Sequence, residues 1–499
     1  MQITPFPSLK SNFARVGVFL AMALFFGFLF DYFFYDQSLG LSFSIYVVLV
    51  LAAIFKVCFF HKTKIQASIL WLVIPLLFFS IMVCIRANST LTFLNVIGSF
   101  LLLLLLLRRL VGEKIHEYLL VDYLHSAIAL PLKLLDRGKD FFIRHLPEAL
   151  KGQGHLKQIM KGLLMAIPAI LIFLLLFSSA DLVFNKFIAG FIHINSPYLT
   201  IMRAIFIAVV SVFFAGLFSF ISDNSSGITA PTAEHSKKYF GVIETSIFFG
   251  LLNLLFLLFI VIQFIYLFGG ETNITAQGFT YAEYAHKGFF ELVLVALLSF
   301  GLIFFAEKSI EKNEKGHFTP FKVLTGIFIA QVMVIMASAF MRMMIYEDAY
   351  GFTELRLYTH IFIIWLAIIS ILLFYKIQMS QKEHNFAFHV FVSLVVFLIG
   401  LNLLNPDAFI VRQNIERYTE AGKLDVYYLA TLSDDGIPEM SSIFQMSDRS
   451  FSQALVRELN SRALDFTSTS SWQSWHLSHA GAQEFFQKVI KSNPSLFSP

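Results

Sequence analysis

Along this 499-residue chain the side chains able to do chemistry sit near one end of long apolar runs. Gln331, Ser338 and Arg342 fall at i, i+7 and i+11, one face of a helix. Arg356 and His360 are four residues apart and also share a face. Asp181 closes one apolar run, Arg203 opens the next, and Gln263 lies near the end of another. Glu291 enters its run after a loop holding Tyr281, Glu283, Tyr284 and His286, and a second loop carries Tyr346, Glu347, Asp348 and Glu354. Two guanidinium groups in a low dielectric need anions, and the carboxylates of the same hairpin, or Glu291, are the nearest supply. Asp181 is a further anion, suited to Arg203. Full pairing makes such a set structural. An arginine left facing a cavity is poised for a phosphate, a carboxylate or an anionic head group.

The candidate binding residues are therefore Asp181, Arg203, Glu283, Tyr284, Glu291, Arg342, Glu354, Arg356 and His360. Each alone reads more readily as a snorkelling or ion-paired helix end. Together they point to a polar vestibule at one face. No catalytic residue, metal ligand or cofactor is assigned. Glu347, Asp348 and Glu354 are three acids on one loop, whereas a hard cation needs converging oxygens. His286, His360 and His389 lack metal-ligand spacing, and no GxSxG, Walker or Rossmann fingerprint occurs.

The elements that carry these residues are membrane spans. Hydrophobic residues make up 57% of the chain and charged residues 14%, against about 45–50% and about 25% in soluble domains. Apolar runs fall near 16–35, 41–60, 67–86, 91–107, 162–180, 200–222, 240–268, 288–306, 321–345, 355–375 and 386–404. Each approaches the ~20 residues needed to cross a bilayer. The run at 91–107 is short and contains Asn95, although 101–107 is uninterrupted leucine. Cys58 and Cys84 lie late in successive antiparallel runs, so they are read as free thiols.

Lys and Arg mark the side of each loop. One set carries Lys10, Arg15, Lys62, Lys64, Arg108, Arg109, Lys114, Lys237, Lys238, Lys308, Lys312, Lys315, Lys376 and Lys382. The alternate loops are poor in such residues. This predicts a cytoplasmic N-terminus and an extracytoplasmic C-terminal segment. The basic, leucine-containing stretch 108–161 is expected to lie in the cytoplasmic interface. Residues 405–499 leave the membrane pattern, with helices expected at 415–432 and 480–490.

The chain also carries an ordered set of short motifs. Ser179, Ala180 and Asp181 come first, then QFIYLFGG (263–270) and GFTYAEYAHKGFFEL (278–292). YEDAYGFTELRLY (346–358), NPDAFIVRQNIER (405–417), DVYYLATLSDDGIP (425–438) and WQSWHLS (472–478) follow, the last with His476 where asparagine is expected. Over about 163–487 the chain resembles bacterial polytopic membrane proteins of the domain of unknown function 4153 or 4173 type. That resemblance implies no activity, and it leaves the first four runs outside as an accessory bundle.

The reading is an all-α, polytopic transmembrane helix bundle of about eleven spans with a small helical extracytoplasmic C-terminal segment. Its divisions are 1–107, a four-span accessory bundle; 108–161, the interfacial segment; 162–404, a seven-span core; and 405–499. The expected location is the bacterial cytoplasmic membrane. The expected partners are the lipid bilayer and a small solute, lipid or peptide at the outer face, with no nucleic acid. The expected function is binding in that vestibule, for transport, sensing or envelope assembly. The alternative is a membrane enzyme using Glu283, Glu291 or His360 as acid or base on a lipid-linked or envelope substrate.

Overall fold

A computed structural model describes residues 9–61, 66–149, 197–222, 241–268, 289–309, 319–445, 449–467 and 471–492. Among the described residues there are helices and turns and no strand. In chain order the first helices are α1 (Leu9–Phe34), α2 (Leu41–Phe60), α3 (Leu70–Ile85), α4 (Ser89–Leu110), α5 (Leu120–Ala149) and α6 (Pro197–Ser222). Next come α7 (Val242–Phe268), α8 (Phe289–Ser309), α9 (Thr319–Tyr350), α10 (Glu354–Gln378) and α11 (Glu383–Leu404). The C-terminal segment adds α12 (Pro406–Ala421), α13 (Val426–Thr431), α14 (Arg449–Thr467) and α15 (Leu477–Ser492). Ten of these helices, α1–α4 and α6–α11, are long and apolar enough to cross a membrane. The protein is a multi-pass membrane protein. The remaining expected run, 162–180, lies outside the described residues.

Three apolar cores organise the described residues. The first joins α1 to α6, and Phe391, Val395 and Leu398 of α11 pack against it. The second joins α7, α8, α9 and α10, with Phe386 of α11 buried in it. Helix α11 thus stitches the two membrane cores together. The third core lies in the C-terminal segment around Ile410, Leu429, Met440, Leu455 and Phe486, and it includes Leu357 of α10. That segment therefore completes its interior with a residue of the membrane bundle. Leu251, Leu254 and Leu258 of α7 are exposed, as lipid-facing side chains in a span should be.

Helix α5 belongs to the first core. It packs lengthwise along α6, antiparallel, so that Gly138 lies against Val212 and Leu134 against Gly216. A Cβ at either glycine would stand 1.8 Å from the facing carbonyl oxygen. Only glycine permits so close an approach, the usual small-residue device of membrane helices. Val212 is mid-way along the α6 span Met202–Ser222, so α5 reaches well into the bundle.

Candidate functional site

The polar residues meet where the α3–α4, α9–α10 and α11–α12 connections approach the C-terminal segment. Asn405 ends α11 with a left-handed backbone (φ 53°), and Pro406 opens α12 in a position where no helical N–H is needed. This turn sets Asp407 in the first turn of α12, fully buried. Asn88 caps α4 by accepting from Leu91 N at 3.0 Å, which leaves its amide nitrogen free to donate elsewhere.

That nitrogen lies 2.7 Å from Glu354 Oε1 and 3.0 Å from each oxygen of Asp407. Asp407 also accepts from Ser433 N at 3.0 Å and from the Ser433 hydroxyl. Asp435 accepts from Ala87 N and Asn88 N, both at 2.8 Å, and lies 2.5 Å from Ser478 Oγ and 3.5 Å from Arg86 Nη1. Arg86 donates to Asn402 O at 2.8 Å and 3.2 Å. Tyr428 closes the ring, its hydroxyl accepting from Glu354 N at 2.8 Å; burial raises that phenol above its ordinary value. Buried carboxylates this well supplied with donors hold elements together. The cluster latches the C-terminal segment to the first and second cores.

The expected candidates are distributed among separate contacts. Asp181, Glu283 and Tyr284 lie outside the described residues. Arg203 forms a two-pronged ion pair with Asp31 of α1 (2.6 Å and 3.0 Å), beneath which lies the Tyr35 ring. Glu347 meets His360 Nδ1 at 3.0 Å, and His360 Nε2 faces Phe340 O at 3.1 Å. Arg356 lies over the Tyr346 ring at 4.2 Å and donates to Gly351 O. Glu354 belongs to the latch. Arg342 is buried, and Glu291 is exposed at the start of α8. The hairpin carboxylates Glu347 and Glu354 bond to His360 and Asn88. The mid-span amides are interhelical glue: Asn253 donates to Leu324 O at 3.0 Å and Gln331 to Asn253 O at 3.1 Å.

Sequence reasoning did not select Arg86, Asn88, Asp407, Ser433, Asp435 or Ser478 as site residues. Their signal was present, since Asp407, Ser433 and Asp435 lie in the NPDAF and SDDGIP motifs. Among the described residues no group of three or more His, Cys, Asp or Glu is arranged to hold a metal ion.

One open cleft adjoins the latch. It measures about 610 Å³ and lies between the end of α9 and helices α12, α13 and α14. Tyr350, Arg417, Lys423, Tyr427 and Phe451 line it. Arg417 donates to Asp348 O at 2.7 Å and Ala349 O at 2.8 Å, and Asn414 exchanges two 2.9 Å bonds with the backbone of Phe352. The cleft wall is thereby tied to the α9–α10 turn that carries Glu347 and Glu354.

Residues 73–443 match the family described as Domain of unknown function (DUF4153). The chain belongs to the DUF4153 family. The match begins within α3, ninety residues before 163, where the resemblance was expected to begin, so the region resembling the family is corrected to include α4 and most of α3. Within the matched range Arg86, Ala87 and Asn88 bind carboxylates of the motif residues Asp407 and Asp435. No curated protein and no protein of solved structure is detectably similar to this DUF4153 protein.

Proposed function

We propose that this protein binds a small anionic solute or an acidic peptide at its extracytoplasmic face, in the cleft bounded by α9, α12, α13 and α14. The observation that carries the reading is the cleft itself: a space of about 610 Å³, inside the ~300–1,000 Å³ range of ligand sites, whose wall holds the cations Arg417 and Lys423 against the single carboxylate of Asp425, with three aromatic rings. Tyr350 and Tyr427 are both more than half exposed, so their rings offer stacking surface to a ligand. Lys423 offers an ammonium and Arg417 a guanidinium already oriented by two backbone carbonyls. The Lys and Arg bias of the loops supports an orientation in which this face lies outside the cytoplasm of a bacterial cell. A ligand there would touch the tip of the α9–α10 hairpin, which suits a sensor or an assembly factor.

The test is binding by the full-length protein in nanodiscs. Inorganic phosphate, dicarboxylates and short acidic peptides are titrated and the melting temperature followed. Stabilisation by one of these classes, lost in Lys423→Ala and Tyr427→Ala, is the expected result. If no anion shifts the melting temperature, or the shift survives both substitutions, the reading is wrong.

A further inference from the structure

We propose that an apolar cavity in the first core holds one acyl chain of a membrane phospholipid. The cavity measures about 570 Å³ and lies among α1, α2, α4, α5 and α6. Phe34, Val50, Ser99, Leu135, Val210 and Phe213 mark its extent. The cavity opens to the surface of the bundle, where Phe100 and Val209 in its wall are exposed. Water is a poor filler for so large a space, because an ordered water needs two to four polar partners. Tyr46 in the wall turns its hydroxyl to Phe26 O at 3.3 Å. Ser99 Oγ is buried and has no hydrogen-bond partner among the described residues.

The shape fits a chain from one leaflet. The cavity begins at Phe34 and Leu39, by the α1–α2 connection, and descends to Val50, nine residues into α2. Nine residues of helix rise about 14 Å, close to half of the ~30 Å hydrocarbon thickness. Helix α4 faces the cavity with Val96, Ser99, Phe100 and Leu103. Above the cavity the α1–α2 connection is closed by the C-terminal segment, Leu41 N donating to Trp475 O at 3.0 Å. This site is separate from the cleft and does not depend on it.

The experiment uses the full-length protein in nanodiscs of phosphatidylethanolamine and phosphatidylglycerol, doped with a phospholipid whose acyl chain ends in a diazirine. After irradiation, insertion is mapped by mass spectrometry. Insertion at the buried wall residues Val50, Ser99 and Phe214 is expected. In Ser99→Phe and Val210→Phe it falls at least about tenfold, as for a site whose space is occupied, while labelling of lipid-facing Leu251 and Leu254 stays unchanged. Should a phenylalanine variant fail to fold, Ser99→Leu is used, with folding checked by its melting temperature. Wild-type protein labelled at Leu251 but not in the cavity wall would overturn the proposal. So would equal wall labelling in the filled variants.

Discussion

Asn95 of α4 and Asn402 of α11 exchange both amide hydrogen bonds, each 2.8 Å long, across 307 residues of sequence. Both side chains are buried, so each amide satisfies the other where lipid and hydrocarbon side chains offer nothing. The pair pins α11, the helix shared by the two membrane cores, to the first core. Asn95→Leu or Asn402→Leu alone strands one amide and is expected to destabilise the protein by about 1–3 kcal/mol. The double variant should recover most of that loss. Thermal unfolding of all four proteins in one detergent measures the coupling.

The latch makes a stronger demand. Asp435 accepts from two backbone N–H groups of the α3–α4 turn on one carboxylate oxygen, Oδ2, and pairs with Arg86 through the other. Asp435→Ala is expected to cost about 3–5 kcal/mol, the range for breaking a buried charged contact. Hydrogen exchange should rise together at 85–88 and 433–436. A rise confined to one of these segments would show that they are not locked to each other.

His476 gives the docking of the C-terminal aromatic motif a pH dependence. Burial holds its imidazole below the ordinary histidine range, against a partial rise from the backbone carbonyls of Leu39 and Ser474. The folded state therefore binds fewer protons than the undocked one as pH falls through about 6.5, and the docked state loses stability there. Trp472 and Trp475 fluorescence should report loosening between about pH 7 and pH 5. His476→Asn should flatten that response. An unchanged response in this variant would assign the titration to another group.

The loop charges predict the orientation. A reporter active only in the cytoplasm should work when fused within 108–149 and fail when fused after Asp425. Cytoplasmic activity after Asp425 would mean that the number of crossings is wrong by an odd number.

Much of the architecture was legible because the bilayer imposes a simple rule. Apolar runs long enough to span it must be helices, and ten of the expected eleven lie within the described helices with ends shifted by a few residues. Asn95 weakened its run as a predicted span, and it did so because it is a contact residue of the bundle. Local rules that fail at such positions often mark a tertiary role.

Polar contacts were less legible, because a charge at a helix end has many partners within reach of its sequence neighbourhood. Glu354 bonds to Asn88, which lies 266 residues away. Asp31 takes Arg203 across 172 residues, and Gly138 and Gly216 let the backbones of α5 and α6 touch. By itself the sequence determined helix, membrane and family. Which carboxylate meets which donor, where a cleft stays open and where a cavity survives were decided by the packing of helices whose pairing no periodicity encodes. Apolar faces of similar composition pack with many partners, and only the assembled bundle selects among them.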